Sequence, residues 1–545
     1  MKNYTHKYIA RFVLEAKSPF AVFSGKTGLN ADKLFIRDVN GLPFIPGTSL
    51  AGVLRHNLQQ RSEVDLGTIF GSGGADGEGS RFRTSAAFLV TQNGQKVIEG
   101  FEDIPHSSSY YDAFRLGVNR DHVKITHRGV GDDGHKFEEE LVPIGARFCF
   151  ELELDGTSED QTFWNTMLQF VYSSEFRVGA GSRKGFGVLE PVVEECFQIV
   201  LDLISNTQLD AYLDKSSSLN APFSLFKKIE ISRKGNSSQW TTYQLSLTAK
   251  DFYIFGAGYG DDEVDKVTKT EYQIEWDANG GKVKAKKNIL IPGTSIKGAL
   301  AHRVAYHYNL TVGNTIEKGF EGAKSVEKND SIHQIIQHLE GEFEKEISKE
   351  GLEQNGMFQS EEEIKNVREK VEKARQNLEK TIQKLISTDP TMDDKWLMHT
   401  KSIEDEALQN SRKEKTGSDD FNLAVITLFG IAKNSEIGEV GQRGKVMIPD
   451  VIRPYEDANQ KIFQHVKIDR FTGGAIDSAL FNEKGYQDKG TFSLEIQVET
   501  SAFKDPHIKE AWETALEDLI SGKLPLGGLT NKGYGAFTGS KKIKS

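Results

Sequence analysis

The sequence predicts an α+β chain built from two copies of one domain, and three observations point there. The phrase Ile45-Pro46-Gly47-Thr48-Ser49-Leu50-Ala51-Gly52-Val53-Leu54 returns as Ile291-Pro292-Gly293-Thr294-Ser295-Ile296-Lys297-Gly298-Ala299-Leu300. A glycine-rich loop, Val178-Gly179-Ala180-Gly181-Ser182-Arg183-Lys184-Gly185-Phe186-Gly187, is answered by Leu526-Gly527-Gly528-Leu529-Thr530-Asn531-Lys532-Gly533-Tyr534-Gly535. Strand-like alternation precedes each phrase and helical text follows it. One such turn would suit any α/β protein. Two, with other pieces in the same order around them, make internal duplication the governing fact.

The totals set the bounds. At 545 residues the chain exceeds one ordinary domain. Charged residues at 27% and hydrophobic residues at 37% describe a well-solvated globular protein. No apolar stretch approaches a membrane span, so no membrane partner is expected. The first seven residues lack a signal-peptide core, and a reducing cytoplasm is the simplest compartment. Cys149 and Cys196 are too few for a four-ligand zinc site or a disulfide framework, so no structural zinc is expected. The net charge of −11 argues against a nucleic-acid binder only if it is averaged over the chain. Glu-rich text is concentrated between about 315 and 415, whereas the glycine-rich turns carry Lys and Arg. Binding responds to the local field rather than to the total.

Taken in order, residues 7–23 alternate as a strand, and 24–33 form a loop ending in Asp32-Lys33. A short strand, Leu34-Phe35-Ile36, leads to the first phrase. There Gly47 is expected to give backbone freedom, and a Thr or Ser hydroxyl to cap the helix. Ile69-Phe70-Gly71 closes that unit. His122-Val123-Lys124-Ile125 opens a strand that runs into a hairpin candidate at 129–136. The strand at 147–154, a helix near 163–171 and the glycine loop complete the copy. Residues 205–240 are polar and Ser/Asn-rich, as a linker would be. The first domain is thus 1–204 and the second 241–545.

The second copy repeats the order: a strand at 243–248, a loop ending in Asp265-Lys266, the phrase, Leu428-Phe429-Gly430, His465-Val466-Lys467-Ile468 and a hairpin candidate at 471–478. The offset between copies is about 246 at Pro46 and Pro292 and about 348 at Gly185 and Gly533. About 102 residues are therefore added between those points in the second copy. They fall mostly at about 312–420, where 360–386 carries apolar residues at heptad spacing in Glu/Lys-rich text. A helical, coiled-coil-like insertion is predicted, either a solvated arm or a dock for another protein.

Three groups of residues could carry chemistry. Each glycine loop joins close-approach glycines to cations, Arg183 and Lys184 or Asn531 and Lys532, which suits a phosphodiester backbone. The plainer reading is a β-turn with solvated charges. His56 and His302 match, as do His122 and His465, without any metal-protease or nucleophile-elbow pattern around them. Structural roles suit them better than catalysis. Asp32 and Asp265 end matching loops, each beside a lysine. They are turn residues, or else carboxylates that help a divalent metal or activate a ribose 2′-OH.

The order strand, loop with Asp, Leu-Pro-Phe-Ile-Pro-Gly-Thr-Ser-Leu, helix, Phe-Gly, hairpin and Gly-Ser-Arg-Lys-Gly-Phe-Gly resembles the RAMP superfamily of CRISPR-associated proteins. More narrowly it is similar to the crRNA-binding backbone subunits of type III (Csm/Cmr-like) effectors. The tandem fusion resembles the double-backbone subunits of III-D-like systems. The resemblance implies a ferredoxin-like (RRM-like) core in each copy and thumb hairpins that splay a target nucleotide. It implies guide crRNA, complementary target RNA and other effector subunits as partners. A loop Asp, at Asp32 and less securely at Asp265 among Asp261 and Asp262, would cut target RNA with Mg²⁺ or another divalent cation. RNA contacts would fall on Ser49, Arg55, Lys297, Gly181, Ser182, Arg183, Lys184, Thr530, Asn531 and Lys532. The metal ligands are unassigned. A backbone subunit that holds RNA without cutting it, and a metal-independent CRISPR-RNA processing ribonuclease acting through His56 or His302, are the alternatives.

Overall fold

The computed structural model describes residues 4–28, 31–59, 61–62, 64–73, 77–105, 107–125, 131–231, 239–284, 287–313, 422–431 and 441–544. The chain forms two compact units, 1–308 with 419–545, and 309–418. The heptad stripe at 360–386 lies outside the described residues, as does nearly all of the expected insertion. The first unit holds both copies of the repeat and is a mixed α/β body whose named strands all pair antiparallel. No described helix is long and apolar enough to cross a membrane.

In the first copy Phe82–Thr84, Arg147–Gly156, His6–Ala16, Phe197–Asp202 and Lys227–Lys228 lie side by side in that order. The central strand alternates as a strand buried on both faces must. Tyr8, Ala10, Phe12 and Leu14 enter the core, where Phe12 stands opposite Phe150. Lys7 and Arg11 point the other way, and both are buried. Lys7 lies 2.7 Å from Glu153, and Arg11 lies 2.9 Å from Glu151. Arg11 also donates to the carbonyls of Leu219 and Ala221. Through residue 231, therefore, the stretch expected to act as a linker folds over the polar face of this sheet. The helix Gln161–Val171 backs the apolar face with Phe163, Trp164, Met167 and Leu168.

The second copy orders Val446–Met447, Phe492–Glu499, Trp240–Ala249 and Phe537–Lys544 in the same way. Tyr243, Leu245 and Leu247 face the core, and Pro506–Ile520 covers them through Ile508, Trp512 and Leu516. The two phrase helices run from Gly47 to Leu58 and from Gly293 to Thr311. They bury Leu50, Leu54 and Leu58, and Ile296, Leu300 and Val304, one residue per turn in matching positions. Each such burial stabilises by roughly 1.5–3 kcal/mol.

Two expectations about the phrase are corrected. Pro46 occupies the N-cap and makes no side-chain capping bond, so Thr48 and Ser49 lie inside the helix rather than ahead of it. Gly47 does not adopt the left-handed conformation. It is needed because a Cβ there would stand 2.6 Å from the Thr84 carbonyl, and at Gly293 2.3 Å from that of Ile448. Close backbone approach, not freedom, selects the glycine.

Two long hairpins complete the unit. Val118–Ile125 pairs with Gly131–Leu141, and Gln460–Ile468 with Ala475–Tyr486. The first hairpin reaches the second copy: Arg120 is ion-paired with Glu271 and Asp450, and His302 Nε2 lies 3.2 Å from the Ile125 carbonyl.

Candidate nucleic-acid interface

Both loop aspartates clamp the foot of a hairpin. The Asp32 amide donates to the Glu138 carbonyl at 3.0 Å, and its Oδ2 accepts the Glu138 N–H at 2.8 Å. Asp265 repeats this with Asn482, at 3.1 and 2.8 Å. Both aspartates are exposed. In each, Oδ1 has no partner among the described residues. Asp261 is used differently: it caps the turn at Glu263 and Val264 and pairs with Lys484 at 2.6 Å. The Lys484 hydrogen bond holds the Asp261 carboxyl below its ordinary range. By geometry Asp265 is the counterpart of Asp32.

One residue further along each hairpin lies a buried glutamate that the sequence did not single out. Glu139 meets His122 at 3.0 Å, Lys184 at 2.8 Å and Lys33 at 3.0 Å. Burial opposes its ionisation, yet His122, Lys184 and Lys33 together hold it far below the usual carboxylate range. Glu483, with a side chain 0% exposed, meets His465 at 2.8 Å, and its Oε2 has no hydrogen-bond partner among the described residues. Each histidine stacks on a phenylalanine, His122 on Phe137 and His465 on Phe481, with centroids 4.8 Å apart. The offset that pairs the histidines also pairs the glutamates and phenylalanines to within one residue. That regularity was the available signal.

A second constellation sits between the copies, around a cavity of about 650 Å³. Ser49 and His56 reach it from the first phrase helix, Ser182 and Arg183 from the glycine loop, and Trp240 and Arg443 from the second copy. Arg443 donates to Ser182 Oγ at 3.1 Å. The Arg183 guanidinium lies 4.9 Å from the Trp240 ring centroid and 3.6 Å from Glu499. Burial, then the neighbouring Arg443 and Arg177, push Arg183 down to about 10. Its Nε and Nη1 are buried without hydrogen-bond partners among the described residues. An anion entering the cavity would satisfy them.

Lys297 lies near this junction. Burial, with Lys184 and Arg183 nearby, pushes it down to about 8, and its ammonium donates to the Phe429 carbonyl at 3.1 Å. Arg55 is exposed, about 100° around the helix from the buried Leu54. Gly181 is left-handed at the head of the short 3₁₀ turn Ser182–Lys184, and Leu529 takes that conformation before Thr530–Lys532. Thr530, Asn531 and Lys532 are all at least partly exposed. The structure therefore gathers Ser49, Ser182 and Arg183 in one cavity and holds Thr530, Asn531 and Lys532 on a separate surface. His56 lines the cavity, whereas its match His302 touches the first hairpin, so the two have diverged.

Among the described residues no group of three or more His, Cys, Asp or Glu is placed to hold a metal ion. Asp32 or Asp265 would offer a divalent ion one carboxylate oxygen. Mg²⁺ commonly completes such a shell with water and substrate phosphate oxygens, and the exposed Oδ1 fits that role.

A family model described as the RAMP superfamily matches residues 13–190 and 278–538. Two similar solved structures are a chain of the type III-B Cmr-beta complex in the apo state and a chain of that complex bound to cognate target RNA. The first is 15% identical, with a TM-score of 0.26, and covers 34% of this chain and 96% of that one. The second is 17% identical, with a TM-score of 0.27 and the same coverage. No curated protein matches the chain.

Proposed function

The chain belongs to the RAMP superfamily, and on that premise we propose that it is an RNA-holding backbone subunit of a type III CRISPR effector. In this reading each copy is a ferredoxin-like RAMP domain, and the partners are guide crRNA, complementary target RNA and other effector subunits in the cytoplasm. The observation that carries the reading is the cavity between the copies. It joins Ser49, Ser182 and Arg183 to Arg443 and leaves two guanidinium nitrogens waiting for an anion. A sugar-phosphate backbone presents that anion without demanding a particular sequence.

Cleavage belongs to the same proposal. Asp32 and Asp265 hold one oxygen fixed against a hairpin and turn the other to solvent. In this reading that oxygen takes the proton of a ribose 2′-OH as it attacks the adjacent phosphorus and the 5′-oxygen leaves. A divalent ion bound there would stabilise the developing charge on the phosphate. The test is cleavage of labelled target RNA by the assembled complex with Mg²⁺, for wild type, D32A, D265A and the double variant. One distinct cut should vanish with each single change while assembly persists. Unchanged cuts in the double variant would remove the aspartates from the chemistry.

A second reading, in which the chain holds RNA but does not cut it, is favoured by the clamp itself. One carboxylate oxygen in each copy already serves the hairpin backbone. A complex that binds target and never cuts it decides for this reading.

A further inference from the structure

The two copies use the same pair of lysines in opposite ways. In the first, Lys33 and Lys184 lie 4.6 and 4.8 Å from the Phe137 ring centroid, and both reach Glu139, at 3.0 and 2.8 Å. In the second, Lys266 and Lys532 lie 5.6 and 4.4 Å from the Phe481 ring centroid. Glu483 there is turned to His465, and neither lysine pairs with a carboxylate among the described residues. Both Lys266 and Lys532 are exposed. Resting on the RNA-holding reading above, we infer that Lys266 and Lys532 around Phe481 form a phosphate-binding site, and that its counterpart in the first copy has been closed into a structural clamp by Glu139.

The physical difference lies in what neutralises the cations. An aromatic face attracts an ammonium by its quadrupole, worth roughly 0.5–1 kcal/mol at an exposed site, but it carries no charge. Two ammonium groups drawn to one ring repel each other, and a phosphate placed between them removes that repulsion. Lys33 and Lys184 already share a buried carboxylate, which a phosphate would have to displace at the cost of leaving Glu139 buried and unpaired. Lys266 also follows Asp265 directly, so a phosphate held there stands beside the carboxylate proposed to cut.

The ligand chemistry is a phosphate oxyanion, supplied by an RNA backbone or by a free anion. The experiment measures binding of a labelled single-stranded RNA to the full chain across a salt series, with a parallel titration of inorganic pyrophosphate. For single strands each phosphate contact contributes about 0.7 to the slope of log K against log salt. K266A and K532A should each lower the slope by about 0.7, and the pair by about 1.4. K33A should leave it unchanged. Because Lys266 and Lys532 are exposed, their variants should melt like wild type. A slope loss from K33A equal to that from K266A, or none from K266A/K532A, would overturn the inference. If wild type ignores RNA but binds pyrophosphate through Lys266 and Lys532, the anion site stands and the RNA-holding reading falls. If it binds neither, both fall.

Discussion

Arg120 on the first hairpin and Asp450 on the second copy meet at 2.9 Å, with side chains 5% and 4% exposed. Asp450 also accepts the Gly293 amide at 2.8 Å, through its other oxygen. One carboxylate thus ties the foot of the first hairpin to the start of the second phrase helix. Ala86 occupies the matching place in the first copy, two residues past the carbonyl that its phrase glycine approaches. The tie therefore belongs to the junction and not to the repeat.

Removing one member of that cluster should be costly. D450A leaves Arg120 with Glu271 alone and strips the Gly293 N–H of its acceptor. Breaking a buried pair in this way typically costs about 3–5 kcal/mol. Urea denaturation of the full chain measures it, and a loss under about 1 kcal/mol would show that water replaces the carboxylate.

At Asp32 the structural and chemical roles can be separated. Asparagine keeps an oxygen for the Glu138 N–H but cannot take a proton as a carboxylate does. D32N should melt within about 0.5 kcal/mol of wild type, whereas D32A should lose about 1 kcal/mol from the missing hydrogen bond. Both should abolish the same target cut. A D32N complex that cuts normally would leave Asp32 with the clamp alone.

Lys297 predicts a pH dependence of the same sign as the usual acid loss, but in the alkaline range. Its folded pKa is about 8, below the unfolded value of about 10.4. Between those limits the unfolded chain binds more protons than the folded one, so this residue makes stability rise with pH. Below the folded value the burial penalty is present in full. K297M should therefore exceed wild type in denaturation midpoint at pH 7, and the gap should narrow toward pH 10.

Glu139 acts with the same sign in the acid range. Its folded pKa is depressed, so its contribution is complete above the unfolded value of about 4.3 and is lost as pH falls through it toward the folded one. Between pH 6 and pH 3 the midpoint of wild type should drop further than that of E139Q. Equal drops would show that other carboxylates govern the acid limb.

The duplication was legible in the sequence because phrases, loops and hairpins recur in fixed order. The aspartate clamps were half legible: Asp32 and Asp265 could be paired by position, but the N–H each accepts is about 106 or 217 residues away. Glu139 was hidden in the run Glu138-Glu139-Glu140, where Glu139 and Glu140 are both buried and only their partners tell them apart, His122, Lys184 and Lys33 for the one and Arg37 for the other. The capping role given to Thr48 and Ser49 failed because Pro46 had already taken the N-cap. Arg443 and Trp240 could not be placed at the cavity from sequence, since they reach it only through the docking of one copy on the other. Local text carries local structure; it does not carry the seam.

That seam is asymmetric. A Cβ on Gly185 would stand 2.4 Å from the Pro449 Cα, whereas one on Gly533 would meet nothing within 4 Å among the described residues. G533A should cost only the left-handed strain, about 1–2 kcal/mol, and G185A distinctly more, as thermal melts of the two variants would show. The first copy presses its glycine loop against a turn of the second, and the second does not return the gesture. Such a contact is heterologous rather than isologous: it joins unlike faces, and so it does not close on itself. Each copy carries a glycine loop, and among the described residues only that of the first is seated against the other copy at this glycine. The loop at Gly533 stays open among the described residues, which gives the chain a direction along which its two halves are ordered.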